Sequence, residues 1–124
     1  MPLPAAHPAA TGFTWRRFAV GLAASAAEVE EAQRLRHEVF VREWQGRESP
    51  DGLDRDEYDD RCDHLLLRDL SSGLLVGTFR FNSDRRPTRF YTSGEFELAG
   101  LVAGWRGHTV ELGRACLRRE WRNN

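Results

Sequence analysis

Apolar and polar positions change their period along the chain, and the changes mark its elements. Across residues 13–22 aromatic or aliphatic residues alternate with polar ones, the pattern of a first strand. Ser25 then opens S-A-A-E, a capping box in which the serine accepts from the backbone three residues on and Glu28 answers. Behind it Val29, Ala32, Leu35, Val39 and Phe40 recur at helical spacing and predict a helix to about Trp44. Arg36 and Phe40 lie one turn apart on it, and so on one face. Residues 45–54 contain Gly46, Pro50 and Gly52 and read as an irregular excursion.

The runs H-L-L-L-R-D-L and L-L-V-G-T-F-R-F flank Ser71-Ser72-Gly73, which predicts a β-hairpin. Residues 82–89 form a polar, arginine-rich loop, and residues 90–104 read as a short strand followed by a helical turn. T-V-E-L-G-R-A-C-L, residues 109–117, is the last strand. Glu111 and Arg114 differ by an odd number, so a regular strand points them to opposite faces unless a bulge near Gly113 intervenes. Residues 1–12 hold three of the five prolines and read as a disordered leader ahead of a single domain over residues 13–124. The order strand, helix, hairpin, strand predicts an α+β fold with helix on a mainly antiparallel sheet, and leaves little to cover the second sheet face.

Charge adds a focus. Six carboxylates fall within residues 54–63, D-R-D-E-Y-D-D-R-C-D, directly ahead of the apolar run. Such a cluster needs cationic partners, a cationic ligand or solvation. As a solvated loop it is unremarked; as part of a site it would bind cations. All 18 basic residues are arginine, which excludes a lysine Schiff base and a P-loop lysine and suits carboxylate or phosphate recognition. The net charge of -1 and the interleaving of arginines with acids argue against nucleic-acid binding. Cys62 and Cys116 make neither a disulfide framework nor a metal-site spacing, and read as reduced thiols in a cytoplasmic protein. Cys62-Asp63-His64 is too compact for a tetrahedral metal site, so no metal is expected. Arg16-Arg17 before a short alanine-rich run is similar to a twin-arginine signal, but the run passes directly into the helix cap.

Five segments in order, R-L-R-H-E-V-F, D-E-Y-D-D-R-C-D-H-L-L-L, V-G-T-F-R, F-Y-T-S-G-E-F-E-L and E-L-G-R-A-C-L, resemble the ornithine N-acyltransferases. That family is similar to the acyl-homoserine-lactone synthases within the GNAT superfamily. The resemblance implies the N-terminal half of a GNAT-like domain and transfer of a (3-hydroxy)fatty acyl group from acyl carrier protein to the α-amine of ornithine or a similar amino acid. It places substrate-binding roles on Arg36, Phe40, Trp44, Asp56, Asp59 and Arg80, and catalytic roles on Glu111, as general base, and Arg114; for such an acceptor, Asp56, Asp59 or Asp60 suits its cations and Arg80 or Arg114 its carboxylate. It also implies no bound cofactor, acyl carrier protein as partner and co-substrate, peripheral contact with the inner membrane, and room for a homodimer.

Other readings of the same residues stay open. An acyl-homoserine-lactone synthase would use S-adenosylmethionine as acceptor. A truncated, non-catalytic binding domain would use Arg85, Arg86 and Arg89 to hold an acidic ligand. Arg36, Arg80, Arg114, Asp56, Asp59 and Glu111 would equally make a structural ion-pair network.

Overall fold

A computed structural model gives the fold, and it describes residues 12–84, 90–94, 104, 107 and 109–123. Most of residues 1–12, the loop carrying Arg85, Arg86 and Arg89, and most of residues 95–108 lie outside the described residues. Five strands form one antiparallel meander in chain order: β1 (Gly12–Trp15), β2 (Phe18–Leu22), β3 (Asp63–Asp69), β4 (Leu75–Ser83) and β5 (Val110–Leu117).

The single strand expected at the start is in fact the hairpin β1–β2, reversing at Arg16-Arg17 and closed by the pair Trp15 and Phe18. Arg16 takes φ 54°, a left-handed conformation that the sequence does not announce with the usual Gly, Asn or Asp. Tertiary contacts hold the turn instead. Leu70 N–H donates to the Arg17 carbonyl at 2.7 Å, and Arg17 Nε donates to Asp69 Oδ1 at 2.7 Å. Asp69 also accepts from the Ser72 amide and hydroxyl, so one buried carboxylate joins both hairpin turns.

Between β2 and β3 the chain forms α1 (Ala26–Arg36), with Ser25 Oγ accepting from the Glu28 amide at 3.2 Å as the capping box predicts. The helix does not end at Arg36. It widens into a π-helical segment, His37–Glu43, in which the Trp44 amide reaches the Val39 carbonyl five residues back. The predicted apolar stripe is the core: Ala32, Leu35 and Val39 pack on Leu66 and Leu75, with Phe40, Ala23 and Cys116 at the margin.

The opposite sheet face is apolar too. Val20 pairs with Leu67, Leu65 with Phe79, and Phe81 with Leu112, and these side chains are half-buried or exposed. Apolar residues on both faces are the mark of a sheet meant to be covered twice. Among the described residues, no helix is long and apolar enough to cross a membrane.

Candidate active site

The site begins where two strands fall out of register. Thr78 pairs with Cys116 but Arg80 pairs with Gly113, so β5 spends one more residue than β4 over that step. The extra residue is a bulge, and Arg114 within it adopts φ 51°. Burial along β5 alternates up to Gly113 and then changes phase at Arg114. Glu111 and Arg114 consequently line the same cleft, as only a bulge near Gly113 permits.

That cleft has a volume of about 260 Å³ and is walled by Tyr58, Cys62, Arg80, Asn82, Tyr91, Thr92 and residues 111–114. Its floor is an ion-pair lattice. Arg36, 1% exposed on α1, donates to Asp54 at 2.9 Å and, through two nitrogens, to Asp59 at 2.7 and 3.2 Å. Arg80 on β4 donates to Asp56 at 2.6 and 2.9 Å and to Asp59 at 2.7 Å. Gln33 Nε2 adds a third partner to Asp59 at 3.0 Å. The 3-10 turn Asp59–Arg61 presents this carboxylate, and His64 fixes the turn by donating from Nε2 to the Asp59 carbonyl at 2.9 Å.

Burial alone would raise the Asp59 carboxyl, but hydrogen bonds and charge from Arg36 and Arg80 outweigh it and bring it down to about 2. Burial opposes ionisation of Asp56 as well, and Arg80 again prevails and lowers it. The same carboxylates raise Arg80 against the opposing effect of burial. The charges of Asp56, Asp59 and Arg80 are therefore fixed, and with Asp54 and Arg36 the lattice sets three carboxylates against two guanidinium groups.

Arg114 differs from the other two arginines. It approaches Asp54 and Asp56 only at 3.7 and 3.8 Å, beyond hydrogen-bond reach, and its buried Nε has no hydrogen-bond partner among the described residues. Its guanidinium lies 5.7 Å from the Phe40 ring centroid, and Phe40 in turn meets Trp44 edge-on. Tyr58 and Tyr91 meet edge to face at 5.4 Å, with the Arg80 guanidinium 5.8 and 5.9 Å from their centroids.

Of the residues singled out from sequence, Arg80, Glu111 and Arg114 line the cleft, and Arg36, Asp56 and Asp59 support it from beneath. Phe40 stacks behind Arg114, Trp44 is 66% exposed beyond Phe40, and exposed Asp60 is not among the lining residues. Sequence reasoning missed Gln33, Asp54, Tyr58, Tyr91 and Thr92. Tyr58 stands between Glu57 and Asp59, where an aromatic beside charged residues is the available signal; Tyr91, between Phe90 and Thr92, and Gln33 offer none.

Glu111 is held firmly. Its Oε1 accepts from the Tyr91 amide at 2.7 Å, and its Oε2 accepts from the Thr92 amide at 2.8 Å and from the Thr92 hydroxyl. Among the described residues, no three His, Cys, Asp or Glu side chains stand together to hold a metal ion.

Residues 35–124 match the acetyltransferase (GNAT) domain family. The chain is 37% identical to an L-ornithine N(alpha)-acyltransferase of Agrobacterium fabrum over 114 residues, covering 82% of this chain and 39% of that relative. A protein of the same name from Rhodobacter capsulatus is 35% identical, with 85% of this chain and 45% of the relative covered. The chain thus spans less than half the length of these relatives. Among solved structures, the CoA-dependent acyl-homoserine lactone synthase BjaI, determined with MTA, is 30% identical with a TM-score of 0.52, over 79% of this chain and 47% of that one. The acyl-homoserine lactone synthase LasI shares the fold with a TM-score of 0.57 at 20% identity, over 86% of this chain and 56% of that one.

Proposed function

This chain belongs to the acetyltransferase (GNAT) domain family, and on that premise we propose that it forms the acceptor side of an N-acyltransferase. The acyl group, a (3-hydroxy)fatty chain, comes from acyl carrier protein and goes to the α-amine of ornithine or a similar amino acid. The observation that carries the reading is Arg114, a cleft-lining guanidinium on a strained bulge whose buried Nε has no hydrogen-bond partner among the described residues, while Arg36 and Arg80 each make three hydrogen bonds to carboxylates. A carboxylate is the ligand that such a fork takes in bidentate fashion. The names carried by the relatives support an amino acid as the source of that carboxylate.

With the carboxylate on Arg114, the α-amine sits in the cleft beside Glu111. The amine nitrogen attacks the thioester carbonyl, the C–N bond forms, the C–S bond breaks, and the thiol leaves with a proton. Solvent takes the second proton, released from the ammonium, through the open mouth of the cleft. A backbone N–H freed by the β5 bulge is the candidate partner for the oxyanion. No covalent enzyme intermediate is needed. Burial raises Cys62 and pushes Cys116 up to about 11, so both stay protonated at neutral pH and neither is primed as a nucleophile.

On this reading the protein works in the cytoplasm, where acyl carrier protein is its partner, and releases a lipid-like product at the inner membrane surface. The likeness to BjaI, a CoA-dependent synthase also solved with SAM and isopentyl-CoA, favours S-adenosylmethionine as the second acceptor to test and acyl-CoA as a second donor. The test incubates the complete protein with 3-hydroxyacyl carrier protein or acyl-CoA and with ornithine, other amino acids or S-adenosylmethionine. N-acyl-ornithine as product supports the proposal. Product with S-adenosylmethionine alone moves the protein to the synthase reading, and no product from any pair makes it a non-catalytic binding domain.

A further inference from the structure

We infer that Glu111 is a positioning residue that builds the acceptor cleft by clasping the turn Tyr91–Gly94, and is not the proton acceptor of the reaction. This rests on the acceptor cleft proposed above. A general base needs a lone pair aimed at the departing proton. The Glu111 carboxylate offers two lone-pair sites on each oxygen, and both sites of Oε2 are taken by the Thr92 amide and hydroxyl. Oε1 accepts from the Tyr91 amide at 2.7 Å, so three of the four sites are spent on the turn and each oxygen is held by a donor of it. The carboxylate thus spans two successive backbone N–H groups at the start of a 3-10 turn, a geometry that orders backbone.

What the clasp orders is part of the cleft itself. Tyr91 and Thr92 are both lining residues, and Tyr91 meets Tyr58 edge-on beside the Arg80 guanidinium. Phe90, just ahead of the turn, is buried, which anchors one side of it. Glu111 stands opposite on β5, so its two oxygens tie the last strand to the wall that faces it.

A consequence follows for the obvious experiment. Glu111→Gln keeps the size of the side chain but replaces one acceptor oxygen with an NH2 that faces backbone N–H donors. The turn is then released, and the loss of activity imitates the loss of a base.

Thr92 separates the two roles, because Thr92→Val removes one clasp donor and leaves the carboxylate intact. The experiment measures amide hydrogen exchange at Tyr91 and Thr92 together with acyl-transfer pH profiles in the wild type, Glu111→Gln, Thr92→Val, Thr92→Ser and the double variant Glu111→Gln/Thr92→Val. The clasp requires exchange of both amides to quicken about 10-fold or more in Glu111→Gln. It also requires acceptor KM to rise in Glu111→Gln and Thr92→Val, the double variant to cost no more than Glu111→Gln alone, Thr92→Ser to restore the wild type, and the pH limb of kcat to remain. A loss of kcat of about 1,000-fold or more in Glu111→Gln, with KM and both amides unchanged, would overturn it. If the protein transfers no acyl group to any acceptor, the acyltransferase reading fails on its own, and the amide exchange still decides the clasp: unchanged protection in Glu111→Gln refutes it.

Discussion

Glu111 and Arg114 are three residues apart on one strand and face the same cleft, because Arg114 occupies a β-bulge at φ 51°. A regular strand would have sent one of them into the opposite sheet face. The fold therefore holds a non-glycine residue in a conformation that costs roughly 1 kcal/mol to keep a guanidinium in the cleft.

Substitutions at Arg114 should separate fold from binding. Arg114→Gly keeps the bulge and recovers that strain, so stability should hold or rise by up to about 1 kcal/mol, while acceptor KM rises about 10- to 100-fold for want of a bidentate carboxylate contact. Arg114→Val places a β-branched residue at positive φ and should cost about 1–3 kcal/mol of stability besides. Urea melts and steady-state kinetics on the two variants check both halves. A glycine variant with unchanged KM would remove Arg114 from acceptor binding.

Asp59 is the anion on which Arg36, Arg80 and Gln33 converge. Asp59→Asn leaves two buried guanidinium groups short of charge and turns an amide NH2 toward donors. The expected loss is about 3 kcal/mol or more, well beyond the usual effect of one substitution, and chemical denaturation at neutral pH measures it.

Much of this was legible in the sequence. Ser25 and Glu28 announced the helix start, the stripe from Ala32 to Val39 became the core, and the hairpin around Gly73 formed as its turn residues require. The odd spacing of Glu111 and Arg114 left two outcomes, opposite faces or a bulge near Gly113, and the register of β4 and β5 shows the bulge. The rest was hidden because it depends on contacts distant in the chain. Arg16-Arg17 reverses the first hairpin only because Asp69 and Leu70, more than fifty residues on, hold it. The lattice beneath the cleft was read as one of two alternatives, network or site. The structure places Arg36 and Asp59 below the cleft and Arg114 on its wall, a difference of depth that no spacing in the chain shows.

Acid should weaken the fold in a defined window. The folded Asp59 value of about 2 lies below the unfolded carboxyl value, so its stabilisation is fully present above about pH 4 and is lost as pH falls through about 2. The amount at stake for Asp59 is about 2 kcal/mol. Asp69, lowered by Arg17 and Ser72, adds loss in the same direction. Urea midpoints measured between pH 7 and pH 2 should stay level to about pH 4 and then decline. In Asp59→Asn the decline should be shallower, since one of the titrating groups is gone.

The two thiols should report on the cleft without serving in it. Cys62 lines the cleft and Cys116 lies at the margin of the core beneath α1, and burial raises both. Because the thiolate is the reacting species, a Cys116 value of about 11 leaves roughly one thiolate in ten thousand at pH 7, against a few per cent for an ordinary free thiol. Maleimide at pH 7 should therefore modify Cys62 first and Cys116 only as the protein unfolds. An amino acid held by Arg114 would stand between Cys62 and solvent, so a saturating acceptor should slow labelling of Cys62 and leave Cys116 unchanged. Mass spectrometry of the alkylated peptides, with and without ornithine, reads both rates. Protection of Cys62 by ornithine in the wild type but not in Arg114→Gly would place the acceptor in this cleft by a route independent of turnover. Equal labelling of Cys62 with and without ornithine, at concentrations that support catalysis, would place the acceptor elsewhere.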